Sequence, residues 1–327
     1  MVRLATIGTS EVTQNMLNAV GKCEEVELAA CYSRNLEKAR EFGTKYGAKK
    51  FYDSLEALAA DPEIDAVYVA SPNAYHCRQA VPLMKAGKHI FCEKSMATNS
   101  EEVALMMKTA KENNVILMEA IRPVHDSGFK VVKENLHKIG KVRGAKIWNG
   151  RYSSKYTSFR SGNHENIFAM ECSAGGLMDM GVYCVHPMLE LFGVPSNIKA
   201  SCVKVRGGID GYGTILAEYD DMLAEVSYSK IASGRNMDSE LLGEEGVMVI
   251  SNLLSIREVF IIYNDGTVEN LEVEPCDNNM VYELRDFALA VEGKMDISKY
   301  QEMSVQAMEL MDEARRQLDI VFPGDLK

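Results

Sequence analysis

The segment DAVYVASPNAYHCRQAVPLMKAGKHIFCEK (65–94) changes its periodicity twice. DAVYVAS (65–71) and HIFCEK (89–94) are near-continuous apolar runs, the pattern of strands covered on both faces. Between them, AYHCRQAVPLMKAG (74–87) reads as a helix and ends on glycine, the residue favoured just past a helix C-terminus. The same alternation extends outward. VRLATIG (2–8), VELAACYS (26–33) and VILMEA (115–120) read as strands, and NLEKAREFGTKYG (35–47) reads as a helix with small or apolar residues at 36, 39, 42 and 46. Strands alternating with helices predict a doubly wound parallel sheet with helices on both faces.

After about residue 121 the pattern changes. VRGAKIWNGRYS, NIKASCVKVRGG, GTILAEYDD and MLAEVSYSKI follow one another with short turn-like links. REVFIIYNDGTVENLEVE (257–274) reads as a hairpin turning at Asn264-Asp265-Gly266. Successive strands predict a mostly antiparallel sheet, interrupted by helices at about 176–192, 279–292 and 299–320. The last carries Met303, Ala307, Met311, Ala314 and Leu318 on one packing stripe. A chain of 327 residues is long for a single core. The expected division is an α/β domain over residues 1–121 and an α+β domain over 122–327.

The chain has 47 acidic against 36 basic residues, a formal charge of −11. Such a surface repels phosphate backbones and anionic membranes, which argues against nucleic acid or membrane partners. No apolar segment is long enough to span a bilayer, and MVRLATIG opens as a strand and not as a signal peptide. The cysteines at 23, 31, 77, 92, 172, 184, 202 and 276 form no C-x-x-C pair, and several lie in apolar runs. Free thiols in a reducing cytoplasm are expected. The six histidines lack zinc-type spacing, so no metal is expected.

Ligands of open parallel sheets bind at the carboxyl ends of the strands. That edge collects IGTSEVT (7–13), YSRN (32–35), SPNAYH (71–76) and CEKS (92–95). The first occupies the place of a dinucleotide-binding turn, with Gly8, Ser10 and Val12 as candidate contacts. Of G-x-G-x-x-G only Gly8 is kept, with Ser10 and Thr13 at the other glycine positions. A plain strand-to-helix turn would look the same. The second strand ends in Ser33-Arg34, with Lys38 one helical turn on and no acid before Glu37. A guanidinium beside a hydroxyl suits a ribose 2′-phosphate, which favours NADP(H) and leaves NAD(H) possible. A solvated arginine at a helix start is the plain alternative.

Lys94 ends a strand at this same edge. A second motif, AGGLMDMGVYCVH (174–186), leads two glycines into a helix with Asp179, Tyr183 and His186 at spacing i, i+4 and i+7. An ammonium next to a phenol favours the phenolate, so Lys94 and Tyr183 qualify as an acid/base pair for a carbinol proton. His186 precedes Pro187 and reads as structural. His164 and Arg160, in YTSFRSGNHENIF, could reach substrate or be plain surface, and Trp148 reads as packing.

The order strand–turn, SPN..H, EK, GG..MD.G.Y resembles the Gfo/Idh/MocA oxidoreductases over nearly the whole chain. The resemblance implies an N-terminal Rossmann domain and a C-terminal domain whose large open antiparallel sheet often forms a homodimer or homotetramer. It implies NAD or NADP acting on sugars, polyols, diols or ketones as small-molecule substrates. Lys94 resembles the active-site lysine, Asp179 the acid that positions substrate, and Tyr183 a position held by histidine or tyrosine. Ser71, Pro72, Asn73 and His76 match the loop on the nicotinamide side, and Glu93 precedes the lysine as the pattern requires. The usual E-K-P reads Glu93-Lys94-Ser95, without the proline that is often cis in relatives. A cofactor-binding sensor of the same fold is the rival reading. Lys94, Asp179 and Tyr183 favour an enzyme, whereas Ser95 leans the other way.

Overall fold

The computed structural model describes residues 1–234 and 238–326. The chain divides into two compact units, Met1–Ala120 with Asn278–Val305, and Ile121–Asp277 with the residues from Gln306 onward. A single division at residues 121 and 122 therefore misassigns 278–305, which the chain returns to the first unit.

In the first unit, β1 (Val2–Ile7), β2 (Val26–Tyr32), β3 (Lys50–Tyr52), β4 (Ala66–Val69), β5 (His89–Glu93) and β6 (Leu117–Ala120) form one sheet in the order β3-β2-β1-β4-β5-β6. Every pairing is parallel. The winding reverses between β1 and β4, which opens a crevice at their carboxyl ends. Helices α1 (Glu11–Val20), α2 (Leu36–Thr44), α3 (Leu55–Ala60), α4 (His76–Lys85) and α5 (Ser100–Glu112) supply the crossovers. The quoted segment forms β4, a short 3-10 turn, α4 and β5. Its strands read as unbroken apolar runs because both faces are covered.

Segment 278–305 completes this core. Its helix Met280–Val291 buries Met280, Leu284, Phe287 and Ala288 in the cluster that holds Leu4, Met16, Tyr68 and Phe91. Phe287 stacks on Phe91 with ring centroids 4.9 Å apart. Asn278 Nδ2 donates to the Asn15 carbonyl at 2.8 Å, and Gln301 Nε2 to that of Leu117 at 2.9 Å.

In the second unit, β7 (Val142–Gly150), β8 (Asn197–Lys204), β9 (Asp210–Glu218), β10 (Leu223–Ser229), β11 (Ser239–Gly243), β12 (Gly246–Ile250), β13 (Val259–Tyr263) and β14 (Val268–Leu271) form a sheet in the order β14-β13-β12-β11-β7-β10-β9-β8. The pairings are antiparallel except β7 with β10. β13 and β14 are the hairpin expected from Asn264-Asp265-Gly266, with Gly266 at φ +88°. The stripe Met303, Ala307, Met311, Ala314 and Leu318 is buried throughout, on and just beyond helix Ser298–Gln317.

All eight cysteines are free thiols. Among the described residues, no helix is long and apolar enough to cross a membrane, and no cluster of three His, Cys, Asp or Glu side chains could hold a metal ion.

Candidate functional site

The carboxyl edge of the parallel sheet is shaped by close backbone approach. Gly8 follows β1 at φ +119°, and a Cβ there would meet the Ala70 carbonyl oxygen at 2.6 Å. Glycine is required here because β1 and β4 converge at this point. Ser10 precedes α1 in extended conformation and is exposed; its hydroxyl lies 3.3 Å from Thr13 Oγ1 and does not cap the helix. Val12 is half-buried against the core, so its side chain packs. At the end of β2, the Ser33 N–H donates to the Tyr52 carbonyl at 3.0 Å, and Asn35 Oδ1 caps α2 by accepting from the Lys38 N–H at 3.0 Å. These bonds fix the turn while the Arg34 and Lys38 side chains stay exposed.

The ends of β4 and β5 are tied together from inside. His76 is fully buried, with Nε2 2.7 Å from the Ser71 carbonyl oxygen and Nδ1 3.1 Å from that of Ser95. Burial lowers its pKa below the ordinary imidazole value, outweighing the backbone carbonyls that favour the charged ring. Ser71 Oγ donates to Gln79 Oε1 at 2.6 Å, and Pro72 and Asn73 stand half-buried at the start of the 3-10 turn. Glu93 is buried and accepts from the Tyr68 hydroxyl. The side chains of His76 and Glu93 bond to the protein and brace the edge. Lys94 is the one residue from 91 to 99 that is not buried. The Lys94–Ser95 peptide is cis. The next N–H, that of Met96, donates to Glu119 Oε1 at 2.9 Å.

In the second unit, Asp179 lies in a π-helical turn, Leu177–Gly181, that runs into helix Val182–Phe192. The sequence predicted an uninterrupted α-helix; wider turns of this kind recur at functional sites. The turn is held by tertiary contacts. The buried Asp210 carboxylate accepts from the Leu177 N–H at 2.6 Å. That approach needs Gly175, at φ +129°, where a Cβ would stand 2.2 Å from Asp210 Oδ1. The Tyr228 ring fills the space that Cβ atoms of Gly176 and Gly181 would enter. Asn149 Nδ2 donates to the Met180 carbonyl at 3.0 Å. Burial raises the Asp210 pKa, opposed by the Leu177 N–H, the Tyr228 hydroxyl and the positive charge of Lys230.

Tyr183 is 8% exposed, and Arg122, which sequence reading passed over, places its guanidinium 5.7 Å from the centre of the Tyr183 ring. His186 is fully buried, as a structural residue would be. Lys230 was also passed over. Its Nζ lies 3.1 Å from Asp179 Oδ2 and its side chain is 1% exposed. The strand-like SYSKI gave no sign of it, because the partner is far away in sequence. His164 lines a cleft of about 410 Å³ with Phe159, Phe168, Glu171 and Arg206, its Nδ1 3.6 Å from Glu171 Oε1. Arg160 is exposed on the short helix Tyr156–Arg160, 5.9 Å from the Tyr156 ring centre. Trp148 packs beside Tyr212, ring centroids 6.0 Å apart.

Residues 2–121 match the family described as "Oxidoreductase family, NAD-binding Rossmann fold", and residues 132–249 match the "GFO/IDH/MocA C-terminal domain". Over 327 residues, 99% of both chains, the sequence is 41% identical to scyllo-inositol 2-dehydrogenase (NADP(+)) IolU of Bacillus subtilis (strain 168). The chain belongs to the Gfo/Idh/MocA oxidoreductase family. Another relative, the trans-1,2-dihydrobenzene-1,2-diol dehydrogenase of Mus musculus, is 27% identical over 92% of this chain and 91% of its own. The Gfo/Idh/MocA fold is shared with KijD10, a 3-ketoreductase from Actinomadura kijaniata solved with NADP and TDP-benzene. Its TM-score is 0.86 at 21% identity, covering 97% of each chain. As a member of the Gfo/Idh/MocA family, the protein is an NAD(P)-binding oxidoreductase.

Proposed function

We propose that the protein is an NADP(H)-preferring dehydrogenase that oxidises a carbinol of a polyol or diol, or reduces the matching carbonyl. The observation that carries this reading is the 41% identity, over essentially the full chain, to an NADP-dependent inositol dehydrogenase. Two features of the chain support it. Arg34 and Lys38 are exposed cations at the end of β2 with Ser33 beside them, a donor set that suits a 2′-phosphate. Gly8 keeps the β1 turn clear of Cβ atoms, so a pyrophosphate could approach the start of α1. When bound, the nicotinamide supplies the hydride acceptor or donor.

In this reading Tyr183 exchanges the carbinol proton, Lys94 lowers the phenol's pKa and orients the substrate hydroxyl, and Asp179 holds the substrate by hydrogen bonds. Val203, Leu223, Ile262 and Val268, on four strands of the second sheet, are large apolar side chains left exposed, which supports homodimer or homotetramer assembly through that sheet.

The test is to titrate the protein with NADPH and NADH separately by nicotinamide fluorescence, then to measure NADP+ reduction with scyllo-inositol and a panel of polyols and diols. Tighter NADPH binding with turnover of a polyol is the expected result. NADPH binding without turnover of any polyol or diol would favour the sensor, and binding of neither nucleotide would overturn the cofactor assignment.

A further inference from the structure

We infer that Lys230 is a positioning residue for the reaction proposed above, acting through Asp179; the inference rests on that reading. The main chain at Lys230 is pinned on both sides. Its N–H donates to the Gly211 carbonyl at 2.8 Å, and its own carbonyl accepts from the Ser153 N–H at 2.9 Å. The side chain is 1% exposed and ends at Asp179 Oδ2, at the Ile167 carbonyl oxygen, to which Nζ donates, and over the Phe168 ring, 4.6 Å from its centre. A carboxylate, a carbonyl and an aromatic face in three directions suit a compact ammonium with three donors better than a planar guanidinium. An ammonium taken out of water is costly unless it is paired, and a pair broken on one side leaves an uncompensated buried charge. Asp179 completes that pairing while its own side chain stays 28% exposed.

Lys230 does two things at Asp179. It favours the ionised carboxylate, the form that accepts hydroxyl donors from a polyol. It also fixes the carboxylate against segment 166–168, whose Phe168 lines the cleft with Phe159, His164 and Arg206. The acid and the cleft wall are thereby held in one arrangement by a single cation.

The test is a double-mutant cycle on kcat/KM for the polyol the wild type oxidises, using Asp179→Asn, Lys230→Met and the double variant, with NADPH affinity measured in each. If Lys230 acts through Asp179, each single variant lowers kcat/KM by about 30-fold or more, and the double variant is no worse than Asp179→Asn within about threefold. The loss from Lys230→Met falls mainly on KM, and NADPH affinity is unchanged. Additive losses in the double variant, or a Lys230→Met enzyme with wild-type KM, overturn the inference and leave the functional reading standing. A wild-type-like Asp179→Asn overturns the inference together with the role given to Asp179, whereas a wild type that turns over no polyol overturns the functional reading, and the inference falls with it. If Lys230→Met does not fold, Lys230→Gln takes its place in the cycle, keeping a donor without the charge. If neither folds, Lys230→Arg decides: a KM like the wild type's overturns the inference, and a KM raised with unchanged NADPH affinity supports it.

Discussion

Replacing Gly175 by alanine tests how the turn that carries Asp179 is built. Two costs follow from the geometry. The backbone sits at φ +129°, where an L residue costs about 1–3 kcal/mol. The new Cβ would stand 2.2 Å from Asp210 Oδ1, so the carboxylate must withdraw from the Leu177 N–H that it accepts at 2.6 Å. Leaving that buried donor without its acceptor costs about another 1–3 kcal/mol. Together they come to roughly 4 kcal/mol, which lowers the unfolding midpoint of a unit this size by about 8–16 °C. Trp148 is the sole tryptophan and lies on β7, so thermal unfolding followed by its fluorescence reports the second unit. Gly207→Ala is the control. Its φ is +83° and nothing stands within 4 Å of its Cβ position, so it carries the backbone cost alone and should shift the midpoint no more than about half as far. If the two variants unfold within about 2 °C of each other, the close approach of Asp210 does not dictate the glycine, and the account of the turn is wrong.

Three further outcomes are expected. Arg34→Ala should raise the KM for NADP+ at least about tenfold while moving that for NAD+ little, read from initial rates with each nucleotide. Lys94→Met should lower kcat by about 100-fold or more and leave NADPH affinity within about threefold; undiminished turnover would refute the acid/base assignment. In the first unit, bonds from Lys50 and the Tyr52 hydroxyl hold Asp61 well below the usual carboxylate range. Such a group contributes stability above about pH 4 that is lost as pH falls through its lower folded value. Asp61→Asn should therefore destabilise the protein at neutral pH and flatten the acid limb of its stability profile, measured by urea unfolding from pH 2 to 7.

The layered architecture was legible because periodicity is local. Apolar runs of β4 and β5 around a helix ending at Gly87, and Asn264-Asp265-Gly266 between β13 and β14, carry their structure in a few adjacent residues. Gly8 was legible for the same reason, as a tight turn after a strand. The rest depends on residues distant in sequence. Asp210 supports the start of the Asp179 turn from the beginning of β9 and Lys230 reaches Asp179 from the end of β10; in sequence Asp210 falls in the link between two strand-like runs and Lys230 inside one, so neither points to its distant partner. His76 and Glu93 lie in the stretch that the motifs marked, but their bonds to Ser71, Ser95 and Tyr68 could not be read from composition. The π-helical turn was hidden because its sequence, LMDMG, is equally good α-helix; the contacts from Asp210, Tyr228 and Asn149 accompany the wider turn.

The helix Met280–Val291 seals the core of the parallel-sheet unit with residues that a ribosome makes more than 150 positions after β6. Until they emerge, Phe91 lacks its stacking partner and the face around Tyr68 and Met16 has no cover, so this half of the chain must wait, partly open, for most of the other half to be synthesised. The same wiring sets a rule for recombination. A nucleotide-binding unit transplanted into a relative by cutting at residue 121 would arrive with its apolar flank bare. A stable chimaera has to exchange both stretches, 1–120 and 278–305, as a matched pair.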